Sequence, residues 1–193
     1  KLPRVGFYFD NTKKDHVVFR HYFNFVKDCH EKNIEVIVIK GSISLGSSSA
    51  ELEMNCSSII QLTNNLEDSI IALRRLDLDM LIYTEMHSSA SPYCLAHNRI
   101  APIQAVLPGN LITTGIKTID YFITSDQVET NDSHNLYTER LIKLKGMPHG
   151  ITEIAKINHK KHRDFFDLPE KSQIFSLLFN LIKFHPDWDM MLE

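Results

Sequence analysis

The chain is short of the features that would place it quickly. Its three cysteines, Cys29, Cys56 and Cys94, are an odd number with no Cys-x-x-Cys spacing, which argues against a disulfide framework and against a thiolate zinc site. Isolated reduced thiols fit a cytoplasmic protein. No apolar run approaches the roughly 18 to 20 residues that a membrane-spanning helix needs. The first apolar segment leads into Phe7-Tyr8-Phe9-Asp10-Asn11 without a Gly-x-Gly-x-x-Gly, which weakens a nicotinamide-dependent dehydrogenase. There is no excess of basic charge either: the net charge is −3 and the pI about 6.4, so no general attraction to nucleic acid or an acidic membrane surface follows. Lys156, His159, Lys160, Lys161, His162 and Arg163 form a local basic cluster. His149, His159 and His162 lack metal-ligand spacing on any recognisable scaffold, so no metal is expected.

What is present reads as a soluble globular α/β chain. With 193 residues, 43% hydrophobic and 23% charged, it has the size for one ordinary domain, or one domain and a piece of another. Lys1 opens it without Met or a signal-like apolar segment, as an excised piece would. Arg4–Phe9 reads as a buried strand followed by a polar loop. Val18, Tyr22 and Val26, with Phe19 and Phe23 beside them, recur at helical spacing and predict an amphipathic helix from His16 to about Glu31. Asp15 is the expected N-cap. Ile34–Ile39 is rich in β-branched residues and reads as the next strand. Residues 41–58 are Ser-rich and weakly patterned, a loop or short helix, and 66–76 is a second helix starting at Asn64 or Asn65.

From Met80 to Asp126 the pattern repeats. Met80-Leu81-Ile82-Tyr83 is apolar, Thr84 to Ser89 bends, and a short amphipathic segment runs to Arg99. Ala101–Leu107 is a second apolar run, followed by a Pro-Gly and Thr-Thr-Gly loop over 108–115 and a third run, Ile119–Thr124. Such units read as β-α-β with parallel strands, and in an open parallel sheet ligands sit beyond the strands' carboxyl ends. That places the candidate chemistry on three loops. His16 stands at a helix start, where a neutral imidazole can accept a proton or bond a phosphate or hydroxyl; the plainer alternative is a surface histidine. Glu85, His87 and Ser88 project from a strand end. Pro108, Gly109, Thr113 and Thr114 offer close backbone approach, N–H groups and hydroxyls for a sugar or diphosphate. Asp120, on an otherwise apolar strand, must be hydrogen-bonded or at an edge, and Asp126 reads as a capping or turn residue.

Arg99-Ile-Ala-Pro-Ile-Gln-Ala105, the Pro-Gly and Thr-Thr-Gly of 108–115, the run from Ile119 through Asp120 and Tyr121 to Asp126, and Tyr137-Thr138-Glu139-Arg140-Leu141 occur in the order and at the spacing of the catalytic region of the O-GlcNAc transferase family. The chain resembles that family, which includes bacterial adhesin N-glucosyltransferases. The resemblance implies a Rossmann-like parallel sheet flanked by helices, the N-terminal, acceptor-side domain of a GT-B glycosyltransferase, over residues 1–171. Residues 172–193 would be a linker and the truncated start of the second, nucleotide-binding Rossmann-like domain. Within them Phe175–Phe179 reads either as that domain's first strand or as part of an amphipathic helix ending before Pro186. The implied reaction is transfer of GlcNAc or glucose from a UDP-sugar to a protein side chain, with UDP-sugar as co-substrate and no other cofactor. His16 and His87 are the implied catalytic groups. Ser88, Leu107, Pro108, Gly109, Thr113 and Thr114 are the implied donor and substrate contacts. The partners are the UDP-sugar, a protein or peptide acceptor and the missing C-terminal domain, without which the fragment is expected to be inactive. The alternative is a non-catalytic Rossmann-like module that binds a partner or nucleotide.

Overall fold

The computed structural model describes residues 1–13, 16–42, 50–87, 89–146, 161–178 and 180–192. The chain forms two compact units, Lys1–Ile154 and Ala155–Glu193. The first is a Rossmann-like α/β unit built on a seven-stranded sheet in the order β3-β2-β1-β4-β5-β6-β7. Its strands are β1 (Arg4–Phe9), β2 (Glu35–Lys40), β3 (Ser58–Gln61), β4 (Met80–Tyr83), β5 (Ile103–Val106), β6 (Tyr121–Ser125) and β7 (Arg140–Leu144), and every neighbouring pair is parallel.

Side chains alternate between the two faces of the sheet, so each strand feeds two cores. Val5, Phe7, Phe9, Val36, Val38, Ile82 and Ala105 pack on one face together with Phe19, Tyr22, Phe23 and Val26 of α1 (Val17–Glu31) and Leu52 of α2 (Ala50–Met54). Tyr8, Ile37, Ile39, Leu81, Tyr83, Val106 and Phe122 pack on the other with Leu73 of α3 (Leu66–Arg74) and Leu95 and Ala96 of α4 (Ala90–Ala96). Burial on both faces explains why these strands read as nearly continuous apolar runs. The buried positions of α1, at 19, 22, 23 and 26, are the i, i+3, i+4, i+7 stripe expected of a helix on a sheet.

Helix entry differs at the two well-described starts. The side chain of Asn65 accepts a hydrogen bond from the Asp68 N–H at 3.1 Å and caps α3 as expected. At α1 the N-cap position falls on His16, not on Asp15, and the His16 side chain makes no capping hydrogen bond; Asp15 itself lies outside the described residues.

The short β3, partly exposed at the sheet's edge, emerges from a stretch that the sequence marks only as a loop or short helix. β7 likewise forms the opposite edge from residues that carry no clear strand pattern. Asp120 is held by a two-pronged ion pair with Arg99, at 2.5 and 3.0 Å, and accepts the Gln104 N–H at 2.8 Å. Gln104, fully buried, in turn accepts from the Ile100 N–H and donates to the Thr118 carbonyl. The Asp and the Gln of the family-like motifs therefore act as braces for β5 and the turn before β6. Asp126 lies in the turn after β6 and accepts the Gly146 N–H at 3.1 Å.

In the second unit the expected strand and the expected helix before Pro186 are both absent among the described residues. Residues 173–178 form no regular element, and short 3-10 turns at Leu181–Lys183 and Pro186–Trp188 precede a four-residue helix, Asp189–Leu192. The reason is exposure: Phe175 is 86% and Leu178 93% accessible, and a lone strand without a neighbour, or a short helix without a buried face, is not stable in water. No helix among the described residues is long and apolar enough to cross a membrane.

Candidate functional site at the strand carboxyl ends

The sheet reverses its winding between β1 and β4: β2 and β3 lie on one side of β1, and β4 to β7 on the other. In doubly wound sheets such a switch point leaves a crevice beyond the strand ends, because the two connections depart to opposite faces. The loop after β1 leads to His16 and the loop after β4 carries Glu85 and His87, so the two histidines singled out in the sequence belong to the two loops of this switch point.

His16 is half-buried. Its N–H donates to the Lys13 carbonyl at 2.9 Å, its carbonyl accepts the first helical bond from Arg20, and its Nδ1 is buried with no hydrogen-bond partner among the described residues. His87 is exposed, with its ring 6.2 Å from that of Tyr93 on α4. Ser88 lies outside the described residues. Met86, between Glu85 and His87, is 2% exposed and belongs to the core beneath the loop.

The β5–β6 loop reaches across to the β4 loop. Leu107 is buried in the core, its N–H donates to the Tyr83 carbonyl at 2.8 Å and its carbonyl accepts the Gly109 N–H at 2.8 Å, so its side chain and its backbone polar groups are both engaged by the protein itself. Pro108 is buried and Gly109 is exposed. A Cβ on Gly109 would stand 3.1 Å from both Cα and Cβ of Glu85, so the absence of a side chain there lets one loop rest on the other. Thr113 and Thr114 are bound further along by Glu139, 4% exposed, at the start of β7. Its Oε2 accepts from the Thr113 hydroxyl at 2.8 Å, while Oε1 accepts from the Thr114 N–H at 2.8 Å and also from the Thr114 hydroxyl. Burial alone would raise the Glu139 pKa; the bonds from Thr114 and Thr113 outweigh it and hold the carboxyl below its ordinary value. The β4 and β5 loops are thus brought together at Glu85 and Gly109, whereas the two threonine hydroxyls are engaged by the protein itself.

The strand ends also bury polar groups that the sequence did not single out as functional. Asp10 is 6% exposed and Lys40 4%, and both terminate apolar strands. The Tyr8 hydroxyl donates to Asp10 at 2.8 Å and lies 3.2 Å from the Ser91 hydroxyl. Burial drives the Tyr8 pKa far above its ordinary value, so it remains a donor. Thr84 donates its hydroxyl to the Tyr8 carbonyl at 2.8 Å, and Lys40 and Glu85 both keep interaction partners. The signal that could have found this cluster is a charged residue closing an apolar strand, since burial of such a group is costly unless it is paired.

Gly41 makes the cluster possible. A Cβ there would fall 2.5 Å from both the Asp10 carboxylate and the Tyr8 hydroxyl. Gly41→Ala is expected to destabilise the protein by about 2 kcal/mol, as overpacking typically does, read as a lower urea midpoint at unchanged slope. An unchanged midpoint would show that the pocket yields without strain.

Among the described residues no group of three or more His, Cys, Asp or Glu side chains is placed to hold a metal ion. One solved structure, a mutant of the Thermobaculum terrenum O-GlcNAc transferase, shares this fold. It superposes with a TM-score of 0.65 at 19% sequence identity, covering 77% of this chain and 29% of its own. The chain therefore spans less than a third of that transferase's length, and at this identity the likeness is one of fold. No protein-family model and no curated protein matches the chain.

Proposed function

We propose that the chain is the acceptor-side half of a GT-B glycosyltransferase that moves GlcNAc or glucose from a UDP-sugar to a protein side chain. The observation that carries this reading is the packing of Gly109 on Glu85 beside the β1–β4 switch point. It joins the loop bearing His87 to the Pro-Gly segment, and the all-parallel topology sets the β1 loop that leads to His16 at the same carboxyl end of a sheet whose fold is shared with an O-GlcNAc transferase. The order of the motifs along the sequence supports it independently.

In the proposed reaction the acceptor oxygen or nitrogen attacks the anomeric carbon, the bond from that carbon to the diphosphate oxygen breaks, and UDP departs with the bonding electrons. The acceptor's proton passes to a base or hydrogen-bond relay, the role given to the imidazole of His16. His87, Ser88, Pro108 and Gly109 would contact the donor or acceptor, while Leu107, engaged by Tyr83 and Gly109, would anchor the loop that carries them. Because Thr113 and Thr114 already serve Glu139, they contribute by shaping the loop and through Thr113's remaining hydrogen-bonding capacity. The stabilisation of the departing diphosphate falls to a second Rossmann-like domain, whose start is proposed in residues 172–193.

The test compares the 193-residue chain with a version extended through a following Rossmann-like domain, each incubated with radiolabelled UDP-GlcNAc or UDP-glucose and a Ser/Thr- or Asn-containing peptide. Transfer is expected only from the extended protein. Robust transfer by the short chain, or none by the extended one, overturns the proposal. The engagement of Thr113 and Thr114 by Glu139 favours the second reading, a non-catalytic binding module, and that reading predicts UDP-sugar binding without turnover in the extended protein.

A further inference from the structure

The connections from β5 to β6 and from β6 to β7 flank a hollow of about 400 Å³. One wall is the β5–β6 loop, with Leu111 and Ile112; the other is the segment between β6 and β7, with Val128, Glu129, Leu136 and Tyr137. Four of these side chains are large, apolar and open to solvent: Leu111 is 56% exposed, Ile112 57%, Val128 42% and Leu136 73%. Single exposed apolar residues are ordinary, but four around one concavity are the composition of a binding site.

The hollow is also polar in a directed way. The Tyr137 hydroxyl donates to Glu129 Oε1 at 2.9 Å and the Thr124 hydroxyl to the same oxygen at 3.1 Å. Burial would raise the Glu129 pKa, yet the bonds from Ser133, Tyr137 and Thr124 and the nearby Lys143 leave it lowered. The Lys143 ammonium is bonded to the Thr130 carbonyl at 2.5 Å. A fixed negative charge beside an apolar rim selects a ligand that pairs an apolar group with a cation. Thr113 lines the same hollow and belongs to the loop gripped by Glu139, the loop that also carries the Pro-Gly segment of the candidate site.

We propose that this hollow is a subsite for the polypeptide acceptor, taking a stretch in which an aliphatic or aromatic side chain stands next to a lysine or arginine. The apolar side chain enters between Leu111, Ile112, Val128 and Leu136, and the basic one faces Glu129. The proposal names the acceptor class of the reaction proposed above and rests on that reading.

Its test is fluorescence anisotropy with the whole 193-residue chain and three fluorescein-labelled Gly/Ser peptides, carrying Leu-Lys, Leu-Glu or Ser-Lys pairs. The Leu-Lys peptide is expected to bind, the other two roughly tenfold more weakly, the usual scale for one apolar contact or one matched charge. Leu136→Asp should weaken the Leu-Lys peptide roughly tenfold without altering thermal unfolding, because Leu136 is largely exposed. Glu129→Gln should remove the preference for Lys over Glu. Equal binding of all three peptides, no binding, or insensitivity to Leu136→Asp overturns the proposal. So does a concentration-dependent dimer that Leu136→Asp abolishes, which would assign the hollow to a second copy of the chain. Peptide binding without sugar transfer by the extended protein sinks the transferase reading and leaves a peptide site. Transfer without any preference for the Leu-Lys peptide does the reverse.

Discussion

Glu139→Ala is expected to lower stability by about 3 kcal/mol, because it strips the acceptor from two hydroxyls and a backbone N–H in a buried setting, where unsatisfied donors cost the most. That is a large share of the roughly 5–15 kcal/mol by which a domain is stable. Glu139→Gln should cost less, since its carbonyl can still accept the Thr114 N–H while the Thr113 hydroxyl turns to accept from the amide. The pH dependence follows from the lowered carboxyl. A group whose folded pKa lies below its unfolded value contributes stability that is fully present above the unfolded value, about 4.5, and lost as pH falls through the folded one. Urea denaturation from pH 7 down to pH 3 should show this acid loss in the native protein and a shallower loss in Glu139→Gln. Glu129 and Asp120, also lowered, keep part of the slope. Amide exchange across 108–116 should accelerate in both variants, since the clamp holds that loop. A Glu139→Ala protein with native stability and loop protection would mean the threonines are held by something else.

His16→Ala, made in the extended protein with its second domain, is expected to reduce the rate of sugar transfer about 10²-fold, the lower end of what a positioned proton acceptor contributes. His16 occupies the N-cap position of α1 with its Nδ1 buried and without a partner among the described residues, a placement that costs stability unless a ligand uses it. The variant should therefore fold at least as well as the native chain. His16→Gln separates two roles: a side chain that only hydrogen-bonds the acceptor is partly replaced by glutamine, whereas one that takes its proton is not. His87→Ala, removing an exposed ring tilted against Tyr93, should act mainly on KM. Full activity in His16→Ala would take the imidazole out of the reaction and favour the binding-module reading.

The parts of the fold that were legible in advance share one property: their burial pattern is periodic over enough residues to be read locally. The stripe of Phe19, Tyr22, Phe23 and Val26, the Asn65 cap and the apolar runs of β1, β2, β4, β5 and β6 are of this kind. β3 and β7 were not, because edge strands are half exposed and carry no continuous apolar signal. The tail misled in the opposite direction: Phe175, Leu177 and Leu178 are apolar enough to suggest a strand or helix, yet 173–178 form neither, and Phe175 and Leu178 stay largely exposed.

The position of the candidate loops was legible in the chain, and their contacts were not. Residue types and motif order placed His16, His87 and the 108–115 loop at strand ends, because strand, loop and helix alternate in the chain itself. That alternation is written in hydrophobic periodicity, which needs only near neighbours, and it determined the α/β class, the two-faced core of the sheet and the loops on which chemistry could lie. The tertiary structure alone decided that Glu139, 25 residues from Thr114, claims the hydroxyls that looked free for a ligand. It also decided that Gly109 exists to admit Glu85, and that Asp10 and Tyr8 meet against Gly41. Those are contacts between side chains and backbones distant in sequence, and their partners are chosen by strand order and register, which no local pattern encodes.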